Sequence, residues 1–300
     1  LLSLLRQEQG AELEVIVVDN GSWDGAAEMI AAEFPEVRLV RNRSNRGYAC
    51  ACNQAAALAQ GRYLLFLNND TELPPGTLGR LLAVAQSYPN GGLFAPRLVG
   101  SDGQVQRSWR GPLTLAALWH RISWLRWTGW FRTAYQHYRR GCTPVNPTAA
   151  VWPVDAVLGC AILIRRDIFS AVGGWDEGYP FGVEDIDLCQ RVARCAPLYY
   201  VGTVSIVHHG RVASRSNIGY VTANVAVGYV RYLRQRGTSR LGLTAYKLAV
   251  TLDAPLQGVA KLVEGVYRWW CGRQQAARRS WLAARGQWAF LGQLGRFWRA

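Results

Sequence analysis

The sequence has no C-x-x-C pair, and its seven cysteines, Cys50, Cys52, Cys142, Cys160, Cys189, Cys195 and Cys271, are odd in number and scattered. That argues against a disulfide framework or a zinc site and reads them as small apolar side chains in a reducing compartment. No run of 18 apolar residues is free of charge, so no membrane-spanning helix is expected. Nothing at the N-terminus has the form of a signal peptide, and there is no internal repeat or low-complexity tract. Acidic residues are nearly missing beyond residue 200, where 15 Lys and Arg face only Asp253 and Glu264. The first 200 residues are close to neutral, so the net charge of +14 belongs to the C-terminal third. What the chain does have is 300 residues, half of them hydrophobic, ample for a sizeable core.

Residues 1 to 8 read as helix, and because LLSLLRQ opens without Met like the middle of one, the chain is expected to start downstream of a first strand. LEVIVV (13–18), VRLV (37–40) and YLLFL (63–67) read as buried strands. Between them, 24–34 and about 48–60 read as helices, with Asp24 as N-cap and Gly61 as C-cap. Pro74-Pro75 opens a helix to about Ser87. A less regular, Trp-rich part covers 100–150, after which WPVDAVLGCAILIRR and LYYVGTVSIVHHG read as strands. Strands alternating with helices of this length imply a parallel sheet flanked by helices, with ligands beyond the carboxyl ends of the strands. Asp19 and Asp70 both stand just past such ends.

Four polar clusters could carry chemistry, and each has a plainer structural use. Asp19-Asn20-Gly21-Ser22 is either a capped turn or an acceptor for a nucleobase imide. Asn68-Asn69-Asp70 is either a turn or a hard-cation site, one carboxylate joined by substrate phosphate oxygens. Glu184-Asp185-Ile186-Asp187 places three acids in four positions. One or two could satisfy a helix N-terminus, while crowding would raise a carboxylate's pKa, as suits a general base. His208-His209 closes a strand in a chain with four histidines.

In order and spacing, VIVVDNGSWDG, NRGYACACNQA, GRYLLFLNNDTELPPG, VLGCAILIRRDIFSAVGGWDEGYPFGVEDIDLCQRV and VHHG resemble family 2 glycosyltransferases, most of all the bacterial rhamnosyltransferase branch. The resemblance covers about residues 1 to 235. It implies a GT-A fold, a Rossmann-like mixed sheet flanked by helices. It also implies a nucleotide-sugar donor, a divalent cation (Mg²⁺ or Mn²⁺) and inversion at the anomeric carbon. Carried over by position, Asp19 contacts the donor base. Asn20, Asn45, Arg46, Asn53, Asn68 and Asn69 fall on the donor side, and Asp70 anchors metal and diphosphate. Asn68 stands where the usual motif has its first acid. Asp185 becomes the base and Glu184 its positioning partner, with Trp175, Asp176 and Glu177 on the acceptor side. His208 or His209 is a further metal contact, the choice left open. The family's first strand is missing here, so the chain is expected to be weakly active or unstable as it stands.

Residues 266–300 carry seven arginines, no acid, and Trp269, Trp270, Trp281, Trp288 and Trp298. The spacing of Trp281, Trp288 and Phe297 reads as an apolar stripe beside arginine, the pattern of an interfacial helix on anionic lipid. Nucleic-acid binding is the rival, set aside because a polymer-building transferase meets lipid-linked acceptors. The expectation is a catalytic domain at 1–238 and a basic helical, membrane-associating tail at 239–300. It is cytoplasmic, peripheral on the inner face of the cell membrane. It passes sugar from dTDP-rhamnose, or a UDP or GDP sugar, to a glycan or polyprenyl-linked acceptor. The alternative is a catalytically inactive glycan- or lipid-binding homologue.

Overall fold

The computed structural model describes residues 1–7, 12–141, 150–210 and 217–300. Two compact units emerge: Leu1–Gly111 with Arg140–Gly178 and Glu184–Gly210, and Pro112–Arg139 with Tyr179–Val183 and Arg211–Ala300. The chain runs α1 (Leu2–Leu5), β1 (Ile16–Asp19), α2 (Ala26–Glu33), β2 (Arg38–Arg41), α3 (Tyr48–Leu58), β3 (Tyr63–Leu67), β4 (Thr71–Glu72), α4 (Thr77–Ser87) and β5 (Leu93–Val99). It continues through β6 (Val105–Gln106), β7 (Trp109–Arg110), α5 (Leu115–Trp119), α6 (Ser123–Thr128), α7 (Arg132–Arg140), β8 (Val151–Pro153), β9 (Ala156–Val157) and β10 (Ala161–Arg165). The last elements are α8 (Arg166–Ala171), α9 (Glu184–Val192), β11 (Leu198–His208), α10 (Ile218–Gln235), α11 (Arg240–Trp270), α12 (Gln274–Leu291) and α13 (Leu294–Arg299).

In the first unit the strands do not form one parallel sheet. β1 and β2 pair in parallel as a separate ribbon, and the main sheet runs β3-β10-β5-β11-β4, with β6 on β5 and β8 on β11. Within that main sheet β10 is antiparallel to both β3 and β5, and among the described residues only β5 with β11 is parallel there. The departure follows from chain order, because β10 is reached through the short strands β8 and β9 and not through a crossover helix. AILIR in β10 is almost wholly buried between its neighbours, as a central strand covered on both faces requires. Leu81 and Ala85 of α4 pack with Phe94, Leu163, Val201 and Val204 as a core, each large side chain contributing about 1.5–3 kcal/mol by burial. The parallel register of β11 on β5 slips between Val201 and Ser205, beside Pro96, which has no N–H to give the ladder.

Two helix ends differ from the sequence reading. Gly25 in the left-handed region, not Asp24, precedes α2, and Asp24 Oδ1 instead accepts from Ala26 N. α3 ends at an extended Ala59, so Gly61 does not cap it.

The second unit is helical. α11 and α12 run antiparallel, with the Trp288 ring on Gly258 and the Trp281 ring on Gly265, where a side chain would collide. α12 also lies on α10, its Gly286 against Thr222. Buried Asp253 accepts from Ser123 N, Ser123 Oγ and Gln257 Nε2, tying α6 to α11. Lys247 Nζ donates to Trp298 O, and Phe297 is fully buried. Of the stripe at Trp281, Trp288 and Phe297, Phe297 is buried, while Trp281 and Trp288 lie against Gly265 and Gly258 with part of each side chain still exposed. Residues 218–238 group with the C-terminal helices. No described helix is long and apolar enough to cross a membrane.

Candidate active site

Asp19 ends β1 and is buried, its Oδ1 accepting from Ser22 N in a local turn. Asn20 beside it is fully engaged. Its Nδ2 donates to Asn45 Oδ1 and Gly47 O, and its Oδ1 accepts from Asn42 Nδ2 and Arg46 N. Gln54 and Asn42 exchange hydrogen bonds behind it. This amide network fixes the 42–47 loop, whose Gly47 (φ 90°) starts α3. Asn20 and Asn45 thus shape the loop that carries Arg46.

β3 ends at Leu67, and Asn68 N donates to Cys160 O on the neighbouring strand. The chain then turns through exposed Asn69 and half-buried Asp70 into β4, which pairs with the end of β11 so that Thr71 stands opposite His208. His209 N donates to Asp70 O. The two histidines part company here. His209 is exposed, near Ser101 Oγ and Glu72, whereas buried His208 places Nε2 3.4 Å from Asp70 Oδ1.

Gln106 settles the His208 tautomer. Its Nε2 donates to His208 O at 2.8 Å, which leaves Oε1 to meet Nδ1 at 2.7 Å. An amide oxygen only accepts, so Nδ1 carries a proton, and in the neutral form of the ring Nε2 presents a lone pair. That lone pair faces Asp70 Oδ1, a buried oxygen with no hydrogen-bond partner. A buried carboxylate oxygen without a partner and an imidazole nitrogen beside it are a donor set that fits a cation. They supply one imidazole nitrogen and one carboxylate and leave the remaining positions to substrate oxygens. No group of three or more His, Cys, Asp or Glu that could hold a metal occurs among the described residues.

The acid-rich turn opens α9. Asp187 is buried and explained by structure. It bonds Arg191 Nε at 2.8 Å, and Arg191 Nη1 donates to Val172 O and Gly174 O, holding the loop before Trp175. Asp185 accepts from Gly159 N through Oδ2 and from Ile186 N through Oδ1. Gly159 lacks the Cβ that would crowd Asp185 Cβ at 3.3 Å, so the carboxylate can reach that N–H. Glu184 is buried with Oε2 unpartnered. Burial pushes its carboxyl up to about 8, and the Asp185 charge adds to the rise. Burial also raises Asp185, opposed by the Gly159 and Ile186 N–H groups and by Arg110. The charged form of Glu184 is met only by its own N–H, whereas that of Asp185 is met by the Gly159 and Ile186 N–H groups as well, which favours Asp185 as the member that ionises first. Val183, immediately before, has φ 77°, a strained conformation for a β-branched residue and of the kind that gathers at functional sites.

Trp175 is almost fully buried, edge-on to Tyr48 and Phe66. Its backbone is held by Asn53, whose Oδ1 accepts from Trp175 N and whose Nδ2 donates to Trp175 O and Glu177 Oε1. The Asn53 amide therefore belongs to the Trp175–Glu177 loop. Asp176 Oδ1 accepts from Gly178 N in the turn that follows. Tyr48 Oη donates to Gly159 O, linking the start of α3 to the strand that backs Asp185. A cavity of about 910 Å³ between α3 and α8 touches these residues only through Asn53 and Gly174.

Cys160 and its neighbour Gly159 join the groups, one bonding Asn68 and the other Asp185. The turn after β3, the end of β11 and the start of α9 thus meet at one end of the main sheet. Gln106, Gly159, Tyr48 and Arg110 were missed by motif reading. Tyr48 lies inside NRGYACACNQA, whereas Gln106 sits on a two-residue strand without a sequence signature.

A family model described as "Glycosyl transferase family 2" matches residues 1–172. The N-acetylglucosaminyl-diphospho-decaprenol L-rhamnosyltransferase of Mycobacterium tuberculosis is 31% identical over 215 residues, 66% of either chain. The O-antigen biosynthesis protein RfbC of Myxococcus xanthus is 27% identical over 221 residues, 72% of this chain and 16% of its own. In fold, the chain is similar to GalNAc-T7 crystallised with UDP, GalNAc and Mn²⁺ (TM-score 0.50, 19% identity, 74% of this chain and 41% of that one). It is also similar to residues 1–349 of S. aureus TarS (TM-score 0.50, 13% identity, 98% and 86%). With a mixed sheet of the GT-A kind and a family model spanning more than half its length, this chain is a glycosyltransferase and belongs to glycosyl transferase family 2.

Proposed function

We propose that the protein is an inverting glycosyltransferase that moves a sugar, rhamnose, from a nucleotide-sugar donor to a polyprenyl-linked glycan acceptor. The observation that carries the reading is the pair Asp70 Oδ1 and His208 Nε2, 3.4 Å apart with Oδ1 buried and without a hydrogen-bond partner, at the end of the main sheet. The rhamnose and polyprenyl parts rest on the similarity to the mycobacterial enzyme.

Asp70 and His208 are the residues that would hold a divalent cation with the donor diphosphate. When bound, that cation neutralises charge growing on the leaving phosphate oxygen. The chain's own groups do the rest. Ionised Asp185 takes the proton from the acceptor hydroxyl, whose oxygen attacks the anomeric carbon. The bond from that carbon to the diphosphate breaks, and a nucleoside diphosphate departs with the electron pair. One displacement inverts the centre. Glu184, holding its proton, adds no second negative charge beside the base. Asp19 accepts a hydrogen bond from the donor base, Arg46 faces the donor, and Asn53 holds the Trp175–Glu177 loop on the acceptor side. The catalytic part is the first unit, with the basic helices a membrane-associating part at the inner face of the cell membrane.

The test is turnover of dTDP-rhamnose, UDP-galactose, UDP-glucose and GDP-mannose with Mn²⁺ or Mg²⁺, with Asp185→Asn alongside. Cation-dependent transfer lost in the variant is the expected result. Turnover that survives chelation overturns the metal assignment. Nucleotide-sugar binding without any turnover makes the chain an inactive binding homologue.

A further inference from the structure

The six charged residues of α11 are Arg240, Lys247, Asp253, Lys261, Glu264 and Arg268, and only Arg240, its first residue, is exposed. Instead, Leu248, Leu252, Leu256, Val259, Val263 and Val266 are 50–63% exposed. Their spacing of three and four residues puts them on one helical face. Leu241 at 80% and Trp270 at 80% continue the face to both ends, giving it a length of about 44 Å. Surface helices in water show the reverse pattern, and an apolar stripe of this extent marks a surface that something covers.

We propose that this face of α11 is where the protein lies on an anionic lipid bilayer, an inference that rests on the membrane-associated reading of the second unit and names its surface. Charge selects the occupant. Among the described residues of that unit no Asp or Glu side chain is exposed, because Asp253 is buried and Glu264 is half-buried between Lys261 and Arg268. Exposed Arg273, Arg278, Arg279, Arg285, Arg296 and Arg299 follow α11 in the chain. An anionic surface neutralises that excess, whereas a second copy would bring the same positive charge against it. The helix does not thread the bilayer, since Lys247 and Asp253 lie within its length. It lies flat, with the apolar side chains below the headgroups. α6 borders the face, with Ile122 and Leu125 packed on Ala249. It presents Trp124 and Trp127, and Trp130 just beyond, as exposed rings suited to the headgroup layer.

The experiment is flotation of the whole chain with vesicles of phosphatidylglycerol and phosphatidylcholine, against phosphatidylcholine alone. The comparison protein carries Leu252→Gln, Val259→Gln and Val263→Gln together, exposed positions whose change leaves the fold intact. Light scattering gives the oligomeric state of both. The parent is expected to float with the anionic vesicles. The triple variant should partition at least about tenfold less, with an unchanged melting midpoint and unchanged donor turnover. A variant that floats like its parent overturns the α11 assignment and leaves membrane association standing. A parent that never floats overturns both, while donor turnover still reports separately on the transferase reading. A parent dimer that the triple change dissolves assigns the face to a second copy and overturns the proposal.

Discussion

Replacing Glu184 by glutamine isolates the proton that the acid pair retains. The wild-type carboxyl is buried, has no partner at Oε2, and is held up to about 8 from an ordinary 4.5. An unfolded chain gives this proton up near the ordinary value, while the folded protein keeps it until the pH approaches the raised one. Between those limits the folded state binds more protons, so this group's contribution to stability is full at acid pH and is lost as pH rises. At about 1.36 kcal/mol per unit, the span sets a ceiling of about 5 kcal/mol. Water entering the site and relief of the Asp185 repulsion reduce what is observed to about 1–3 kcal/mol. Glutamine does not titrate and mimics the neutral acid. Urea unfolding at a series of pH values from 5 to 8 should therefore show parent and Glu184→Gln alike at the acid end. The variant should be the more stable at the alkaline end, with equal slopes in urea. Stability differences independent of pH would refute the reasoning, since they would place an ionised Glu184 in the folded protein.

Asp185→Asn should lower transfer by about 10²–10⁴-fold with donor affinity retained, measured as kcat beside nucleotide binding. Because Asp185 is raised by burial, the wild-type rate should fall on the acid side at a pH above that of an ordinary aspartate, a limb absent from the residual rate of the variant. Gln106→Leu frees the His208 ring from its tautomer and should weaken Mn²⁺ binding about 10–100-fold in the presence of nucleoside diphosphate, while saturating Mn²⁺ restores most of kcat. Gly174→Ala forces a side chain into φ 70° and to 2.8 Å from Asn53 Oδ1. It should cost about 1–3 kcal/mol in thermal unfolding.

The apolar run Tyr63–Leu67 and its polar tip were legible because a buried strand must end where side chains turn hydrophilic, and β3 ends there. The choice between His208 and His209 was legible too, though motif matching passed over it. Val204, Ile206 and His208 share a phase, and the first two are core residues, so alternation puts His208 inside and His209 out. Gln106 was not legible, because a two-residue strand has no period and its partner lies about a hundred residues away. The tail was legible only in part, for a different reason. An amphipathic pattern says that a face is apolar but not what covers it, and Trp281 and Trp288 met Gly265 and Gly258. The matching seven-residue spacing of those two glycines was the available sign that α12 would dock on α11, leaving the other side of α11 uncovered.

The distribution of charge around the site has a logic that the motifs alone hide. A donor diphosphate is an anion, and every fixed carboxylate near it opposes binding unless a cation or a donor group intervenes. This chain puts amides at 68 and 69 beside a single acid and sets the His208 imidazole against that acid. Along α9 the same economy recurs: Asp187 is paired with Arg191, burial raises Glu184 to about 8, and Asp185 has the Gly159 and Ile186 N–H groups to support its charged form. A second acid at position 68 would grip the metal more tightly in the absence of substrate. With one carboxylate and one imidazole from the protein, a cation held as proposed would draw much of its coordination from the diphosphate, so metal and donor should bind cooperatively and leave together with the nucleotide product.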